Sequence, residues 1–225
     1  MVAQPLRAAI LISGRGSNME RLIAARGGYE ILGVGSDSSA AGGLQIARAA
    51  GVSTFAVDRT GPTGAKITIE QQKDALWGWI ESLSPDLVLL AGYMQIVPAR
   101  WIARFKRRIL NIHPSLLPAF PGLDTHRRAI EARAAQHGAT VHIVDEGIDT
   151  GAVIAQAALS VGEAETDGSL SARVLELEHR LYPWVVEMVA SGGIALSPEV
   201  SFTTDARNIA KQLGFSLPKE SSKGA

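Results

Sequence analysis

Three short segments of this sequence hold residue types that can handle anions, protons and carbonyl oxygens. The first is SGRGSN, Ser13 to Asn18, set between an apolar run and the helix-like stretch MERLIAARG. Glycines there let the backbone approach a ligand closely. The amides of Gly16, Ser17 and Asn18 stand at a helix N-terminus, whose partial positive charge suits a phosphate. A dinucleotide site is an alternative, because Gly-x-Gly is present and Asp37 falls at the end of the next apolar run. Met19, however, stands where a third glycine belongs. A tight turn with no ligand is the third reading.

The second segment is NIHPSLLPAFPG, Asn111 to Gly122, which follows the apolar run RRILNI. In open α/β sheets ligands bind beyond the carboxyl ends of strands, so Asn111 and His113 are expected to open on the same side as SGRGSN and share its cleft. Pro114 biases His113 towards extended backbone and gives a stiff exit that fixes the imidazole direction. A His-Pro pair after a strand is also a common structural feature. The third segment is DEGIDTG, Asp145 to Gly151. Its Asp149 either bonds its own turn or stands beside His113, where a carboxylate favours the imidazolium and fixes its orientation. Asn111, His113 and Asp149 together would supply an oxyanion donor, an acid/base and its orienter, a set suited to acyl transfer to an amine.

Other candidates are weaker. His126, His137, His142 and His179 are scattered, and no HExxH or Cys/His spacing suggests a metal site, so no metal is expected. His142 lies on an expected strand and His126 opens a helical stretch, positions that suit support of a site or plain structure. Trp77, Trp79 and Trp184 fit packing better than stacking on a cofactor.

Positioning these segments requires a frame, and the apolar runs supply one. Ala8 to Ile12, Glu30 to Val34, Thr54 to Val57, Asp86 to Ala91 and Arg108 to Ile112 alternate with helix-like stretches, as βαβ units do. The runs are apolar at successive positions, as in strands covered on both faces. Thr140 to Val144 and Val153 to Leu159 add two strands around a turn-rich segment. From Gly168 to Ala190, Leu170, Val174, Leu177, Leu181, Trp184, Val185 and Met188 recur at helical spacing, with a kink or break expected near Leu181 and Tyr182, since Pro183 removes a backbone donor. The expectation is a single-domain Rossmann-like α/β fold: a mostly parallel twisted sheet, helices on both faces and a mixed C-terminal edge. After Gly193 the pattern weakens, and the terminal SLPKESSKGA reads as disordered.

Composition narrows the partners. Among 225 residues, 22 Lys and Arg balance 22 Asp and Glu, so no global basic field exists to hold a nucleic acid. Cysteine is absent, which removes disulfides and thiolate chemistry. No run approaches the roughly 18 apolar residues of a membrane span. A cytoplasmic protein is expected, acting on small molecules as a monomer or homodimer, without nucleic-acid or membrane partners.

LISGRGSN near the start, LAGYMQIV at 90 to 97, NIHPSLLPAFPGL at 111 to 123, HGATVHIVDEGIDTG at 137 to 151 and RVLELEHRLYP at 173 to 183 occur in one order. Together they resemble the phosphoribosylglycinamide formyltransferase family of folate-dependent enzymes, over roughly residues 6 to 190. The resemblance implies a formyltransferase domain over 1–190, its N-terminal half binding the phosphate and its C-terminal half holding the folate and the chemistry. Residues 191–225 would be a partly disordered extension. The implied reaction moves formyl from 10-formyltetrahydrofolate, a co-substrate, to the amino group of glycinamide ribonucleotide in purine biosynthesis. Asn111 would bind the formyl oxygen, His113 would transfer the proton, and Asp149 would keep His113 charged. The resemblance further assigns the substrate phosphate to Gly16, Ser17 and Asn18, and the ribonucleotide to Leu175, Glu176, Leu177 and Glu178, with Glu178 facing its hydroxyls. Folate would be lined by Met94, Gln95, Ile96 and Val97, by Asn111, and by Asp145, Glu146, Gly147, Ile148 and Asp149.

The sequence departs from that family at three points. Gln95 stands in place of an arginine, no arginine occurs in the helix taken to span Lys66 to Trp79, and Asp124 replaces a histidine. Lys66 is a candidate substitute for the helix arginine. A formyltetrahydrofolate deformylase would use similar Asn, His and Asp, but would carry an extra N-terminal domain and lack SGxGSN. A methionyl-tRNA formyltransferase would need a further C-terminal domain and a basic surface. A nicotinamide-dependent oxidoreductase or noncatalytic nucleotide binder would rest on SGRGSN alone.

Overall fold

The computed structural model describes residues 4–25, 27–61 and 64–219. The chain divides after Asn111 into two compact units. The first contains β1 (Leu6–Ile12), α1 (Ser17–Ala24), β2 (Tyr29–Ser36), α2 (Gly43–Ala49), β3 (Thr54–Ala56), α3 (Ile69–Ser82), β4 (Leu87–Leu90), α4 (Ala99–Arg104) and most of β5 (Ile109–His113). Its strands run in the order β5-β4-β1-β2-β3, each pair parallel. Parallel pairing explains the unbroken apolar runs: Ala8 to Ile12 in β1 are wholly buried, and so is nearly all of β4.

Aromatic residues of α3 fill this unit. Trp77 is fully buried against Trp101 and Phe105, and Trp79 stacks on Phe55 with ring centres 5.2 Å apart. The tryptophans therefore pack, as their spacing suggested. Gly33 and Gly35 in β2 make room for them, since a Cβ on Gly33 would come within 2.7 Å of the Trp79 ring. A reciprocal capping box sets the start of α3: Thr68 N donates to Gln71 Oε1 at 2.8 Å, and Gln71 N donates to Thr68 Oγ1 at 3.1 Å. That cap corrects the helix range expected from Lys66. Lys66 precedes the helix and bridges Thr60 in an isolated antiparallel pair.

The second unit holds α5 (Thr125–Glu131), β6 (Gln136–Ile143), β7 (Val153–Ser160), α6 (Asp167–Ala190), β8 (Ile194–Ala195), β9 (Ser201–Phe202), α7 (Thr204–Leu213) and β10 (Phe215–Ser216). Here β6, β7 and β10 pair antiparallel, in the order β10-β7-β6. The fold is thus α/β with mostly parallel strands and the mixed edge that the turn-rich segment suggested. A register shift between Val141 and His142 bulges β6 just before its end. Bulges of this kind re-aim side chains beside sites.

The long helix α6 packs on β6 and β7 through Leu170, Val174, Leu181, Tyr182, Val185 and Val186, all fully buried. It runs unbroken through Pro183, so no break occurs there. Proline removes one backbone donor, but buried side chains on both sides keep the two halves on one packing surface. The weakly patterned stretch after Gly193 is also built. Thr203 caps α7, Ala206 and Ala210 are buried, and Gly214 ends the helix at φ 77°. Of the terminal segment expected to be disordered, Ser216 lies in β10, and residues 220–225 lie outside the described residues.

Candidate active site

The SGRGSN loop is built from backbone. Ser13 N donates to Gly92 O at 3.0 Å, Ser13 Oγ accepts from Met94 N at 2.9 Å, and Gly14 O accepts from Gly43 N at 3.1 Å. Gly16 caps α1 in the left-handed region at φ 78°, where a Cβ would also come within 2.9 Å of Gly43 Cα. Both facts require glycine. No side chain caps this helix, and the first intrahelical bond runs from Glu20 N to Gly16 O. The amides of Ser17, Asn18 and Met19 precede that bond, so the helix end presents donors and partial positive charge, as an anion site needs.

Two observations count against a dinucleotide here. Met19 is fully buried and fills the place of the third glycine with apolar bulk. The Asp37 carboxylate, which would have to meet a ribose, accepts from Gln95 Nε2 at 2.8 Å. Gln72 Nε2 donates to the backbone oxygens of Asp37 and Val57, at 2.8 and 2.6 Å, closing a polar knot around this aspartate. A separate groove of about 750 Å³ near the end of α1 is lined by Leu22, Ile23, Tyr29 and Ile46. Its charged groups, Glu20 and Glu30, have the wrong sign for a phosphate.

The second unit holds the titratable cluster. Asn111 and His113 alternate along β5 and so share one face of it. His113 is almost fully buried; its Nδ1 lies 3.3 Å from Asp149 Oδ2 and its Nε2 lies 3.0 Å from Phe120 O. Carboxylate and carbonyl oxygens only accept, so a ring with protons on both nitrogens makes both bonds. Asp149 sits in the left-handed region at φ 55°, and its Oδ2 also accepts from Gly122 N at 2.8 Å. Turn bonding falls to its neighbour instead. Asp145 Oδ1 accepts from Gly147 N at 3.2 Å and from Thr150 Oγ1 at 2.8 Å. The two aspartates of DEGIDTG therefore divide the two roles that the sequence left open for Asp149.

His142, re-aimed by the bulge in β6, places Nε2 3.6 Å from Asp149 Oδ1. Its Nδ1 faces Ile143 O at 3.0 Å and so carries the proton. Burial holds the His142 pKa below the ordinary value, with nearby His113 acting the same way, while Ile143 O, Asp149 and Asp145 pull upward. Deeper still, His137 is fully buried, with Nε2 3.1 Å from His126 Nδ1 and its ring edge-on to Phe120. Burial and the facing His126 push the His137 pKa down to about 4. Burial also lowers His126.

An imidazole paired with a buried carboxylate, beside an asparagine on the same strand face, is a set of groups that can serve acyl transfer. Residues 6–186 match the formyl transferase family model. The phosphoribosylglycinamide formyltransferase of Escherichia coli (strain K12) is 37% identical over 88% of this chain and 93% of its own length. The chain belongs to the formyl transferase family. A solved glycinamide ribonucleotide transformylase 1 from Symbiobacterium toebii superposes with TM-score 0.81 at 38% identity, covering 89% of this chain and 95% of that one. The trifunctional purine biosynthetic protein adenosine-3 of Drosophila melanogaster is 36% identical over 87% of this chain, which spans only 15% of that longer protein.

Within this formyl transferase fold, the remaining expected residues divide by exposure. Met94 and Ile96 are strongly exposed apolar residues, Val97 is buried, and Gln95 turns its amide inward to Asp37. Ile148 is exposed, as are Glu146 and Gly147, whereas the Asp145 carboxylate is engaged in its turn. On α6, Glu176 is exposed, Leu175 and Leu177 are half-buried, and Glu178 is buried. Sequence reasoning missed Phe120, whose backbone oxygen anchors His113. Its signal in the sequence was faint: an aromatic residue just before a Pro-Gly pair, which the structure holds at φ 54°.

Proposed function

We propose that Asn111, His113 and Asp149 carry the transfer of formyl from 10-formyltetrahydrofolate to the amine of glycinamide ribonucleotide. The observation that supports this most is the buried His113–Asp149 pair, in a chain aligned with a formyltransferase over nearly the whole of both. The substrate amine attacks the formyl carbon, forming a C–N bond, and negative charge gathers on the formyl oxygen. The Asn111 amide and His113 Nε2–H donate to that oxygen, the second sharing its proton between that oxygen and the Phe120 carbonyl. Collapse breaks the bond to the folate nitrogen. That nitrogen takes a proton through His113, and the attacking amine gives one up. Asp149 fixes the ring and balances its charge.

The phosphate lies on the amides of Gly16, Ser17 and Asn18 at the start of α1, and the ribonucleotide runs along Leu175 to Glu178. Met94 to Val97 and Asp145 to Asp149 receive the folate, for whose flat ring the exposed Met94, Ile96 and Ile148 offer apolar surface. The cysteine-free chain is compatible with a reducing cytoplasm. The test is an assay with 10-formyltetrahydrofolate, run with and without glycinamide ribonucleotide. Turnover that requires the amine is expected; formate release without it would assign the chain to deformylases.

A further inference from the structure

The loop that carries Phe120 O, one of His113's two partners, and Gly122 N, which holds the other, is itself pinned by one threonine and one glutamine. Thr140 on β6 and Gln156 on β7 are direct register partners, so their side chains stand together on one face of the antiparallel pair. Gln156 Nε2 donates to Leu117 O at 2.8 Å and to Thr140 Oγ1 at 2.9 Å. Thr140 Oγ1 accepts from Leu117 N at 3.1 Å and donates to Ser115 O at 2.6 Å. The hydroxyl's single proton and both of its lone pairs are used, and so are both protons of the carboxamide. Because Leu117 O can only accept, the orientation of the Gln156 amide is fixed by chemistry.

These bonds grip the middle of the excursion from His113 to Phe120. Ser115 Oγ, donating to Ala119 O at 2.6 Å, tightens its far side. The excursion returns so that Phe120 O meets His113 Nε2, and two residues later Gly122 N holds Asp149 Oδ2. Both acceptors that orient the imidazole therefore depend on one loop, and the clamp sets where that loop lies. We infer that Gln156, acting through Thr140 and Leu117, is a positioning residue for His113. The inference rests on His113 being the proton-transfer residue of the proposed reaction.

A double-mutant cycle tests it, with kcat and both Michaelis constants measured for wild type, Gln156→Leu, His113→Ala and the double variant. Misplacing a reacting group by about an ångström can cost about a hundredfold. Gln156→Leu is expected to lower kcat about ten- to a hundredfold, with both Michaelis constants within about threefold. In the His113→Ala background the same change should cost less than about twofold, because no imidazole remains to be positioned. An equal loss in both backgrounds, or wild-type kcat in Gln156→Leu, overturns the inference. Wild-type kcat in His113→Ala would instead sink the assignment of His113. If Gln156→Leu does not fold, Gln156→Glu carries the comparison. Its carboxylate faces Leu117 O without a proton, so its kcat relative to wild type should rise as pH falls and the acid regains a donor. A flat ratio overturns the inference.

Discussion

The Ser13–Asn18 loop and the His113–Asp149 cluster solve different problems with different materials. The loop is mostly backbone: amide donors, a left-handed Gly16 and a glycine-to-glycine contact with Gly43, with the Ser13 hydroxyl adding a side-chain bond to Met94 N. The cluster is made of side chains, each with named partners, in a setting almost closed to water. A backbone site tolerates many side-chain changes but not an added Cβ at the wrong place. A side-chain site fails when one donor or charge changes. The difference fits the chemistry proposed for each region. Holding a finished anion needs only fixed dipoles, whereas moving a proton needs a group that can gain and lose one.

The largest effect that would sharpen this contrast belongs to the cluster. His113→Ala should lose about two to four orders of magnitude in kcat with little change in substrate binding, the range for a general acid/base. Near-normal turnover would return His113 to a structural role. Asn111→Ala should follow, with a loss of about two to three orders in kcat, as for an oxyanion donor. An effect confined to the Michaelis constant would make it a binding residue.

The loop should respond in binding. Gly16→Val forces a β-branched residue to φ 78° and drives its Cβ against Gly43. The Michaelis constant for the ribonucleotide should rise about ten- to a hundredfold, in line with a strain of about 1–3 kcal/mol at the loop. The constant for formylated folate should hold. An equal rise in both would erase the distinction between the two regions.

The smallest effect is on stability. His137 titrates near 4 when folded against 6.5 when unfolded, so between those values the unfolded chain binds the extra proton. Stability is therefore full above about pH 6.5 and falls as pH drops towards 4. His137→Gln should flatten the dependence of the thermal midpoint on pH across that window. An unchanged slope would mean that His137 contributes no linkage.

How much of this was legible in the sequence depended on range. The strands β1, β2, β4 and β5 announced themselves as apolar runs, and α6 by spacing, because burial writes its period directly into residue type. The two-residue strands β8, β9 and β10 carry no period. Helix α7 buries small alanines in place of a large apolar stripe. At Pro183 local chemistry allows a break, and tertiary packing keeps the helix continuous. His113 and Asp149 could be named as candidates, yet 36 positions separate them, and their meeting depends on a turn that also needed Asp145. Gln95 was visible as a departure, but its inward bond to Asp37 was not. The clamp of Thr140 and Gln156 was silent, since both grip backbone groups of another segment that no residue type reveals.

The central claim is that Asp149 serves His113 and not its own turn, and Asp149→Asn tests it most directly. Asparagine tolerates the left-handed backbone at φ 55° and can still accept from Gly122 N, so fold and turn should survive. It removes the charge that His113 faces at 3.3 Å. With kcat and thermal midpoint measured together, a fall in kcat of about two orders or more at an unchanged midpoint is expected, as when the carboxylate orienting a catalytic histidine is replaced. Wild-type kcat in a folded Asp149→Asn protein would contradict the account and leave the chemistry to Asn111 and His113 alone.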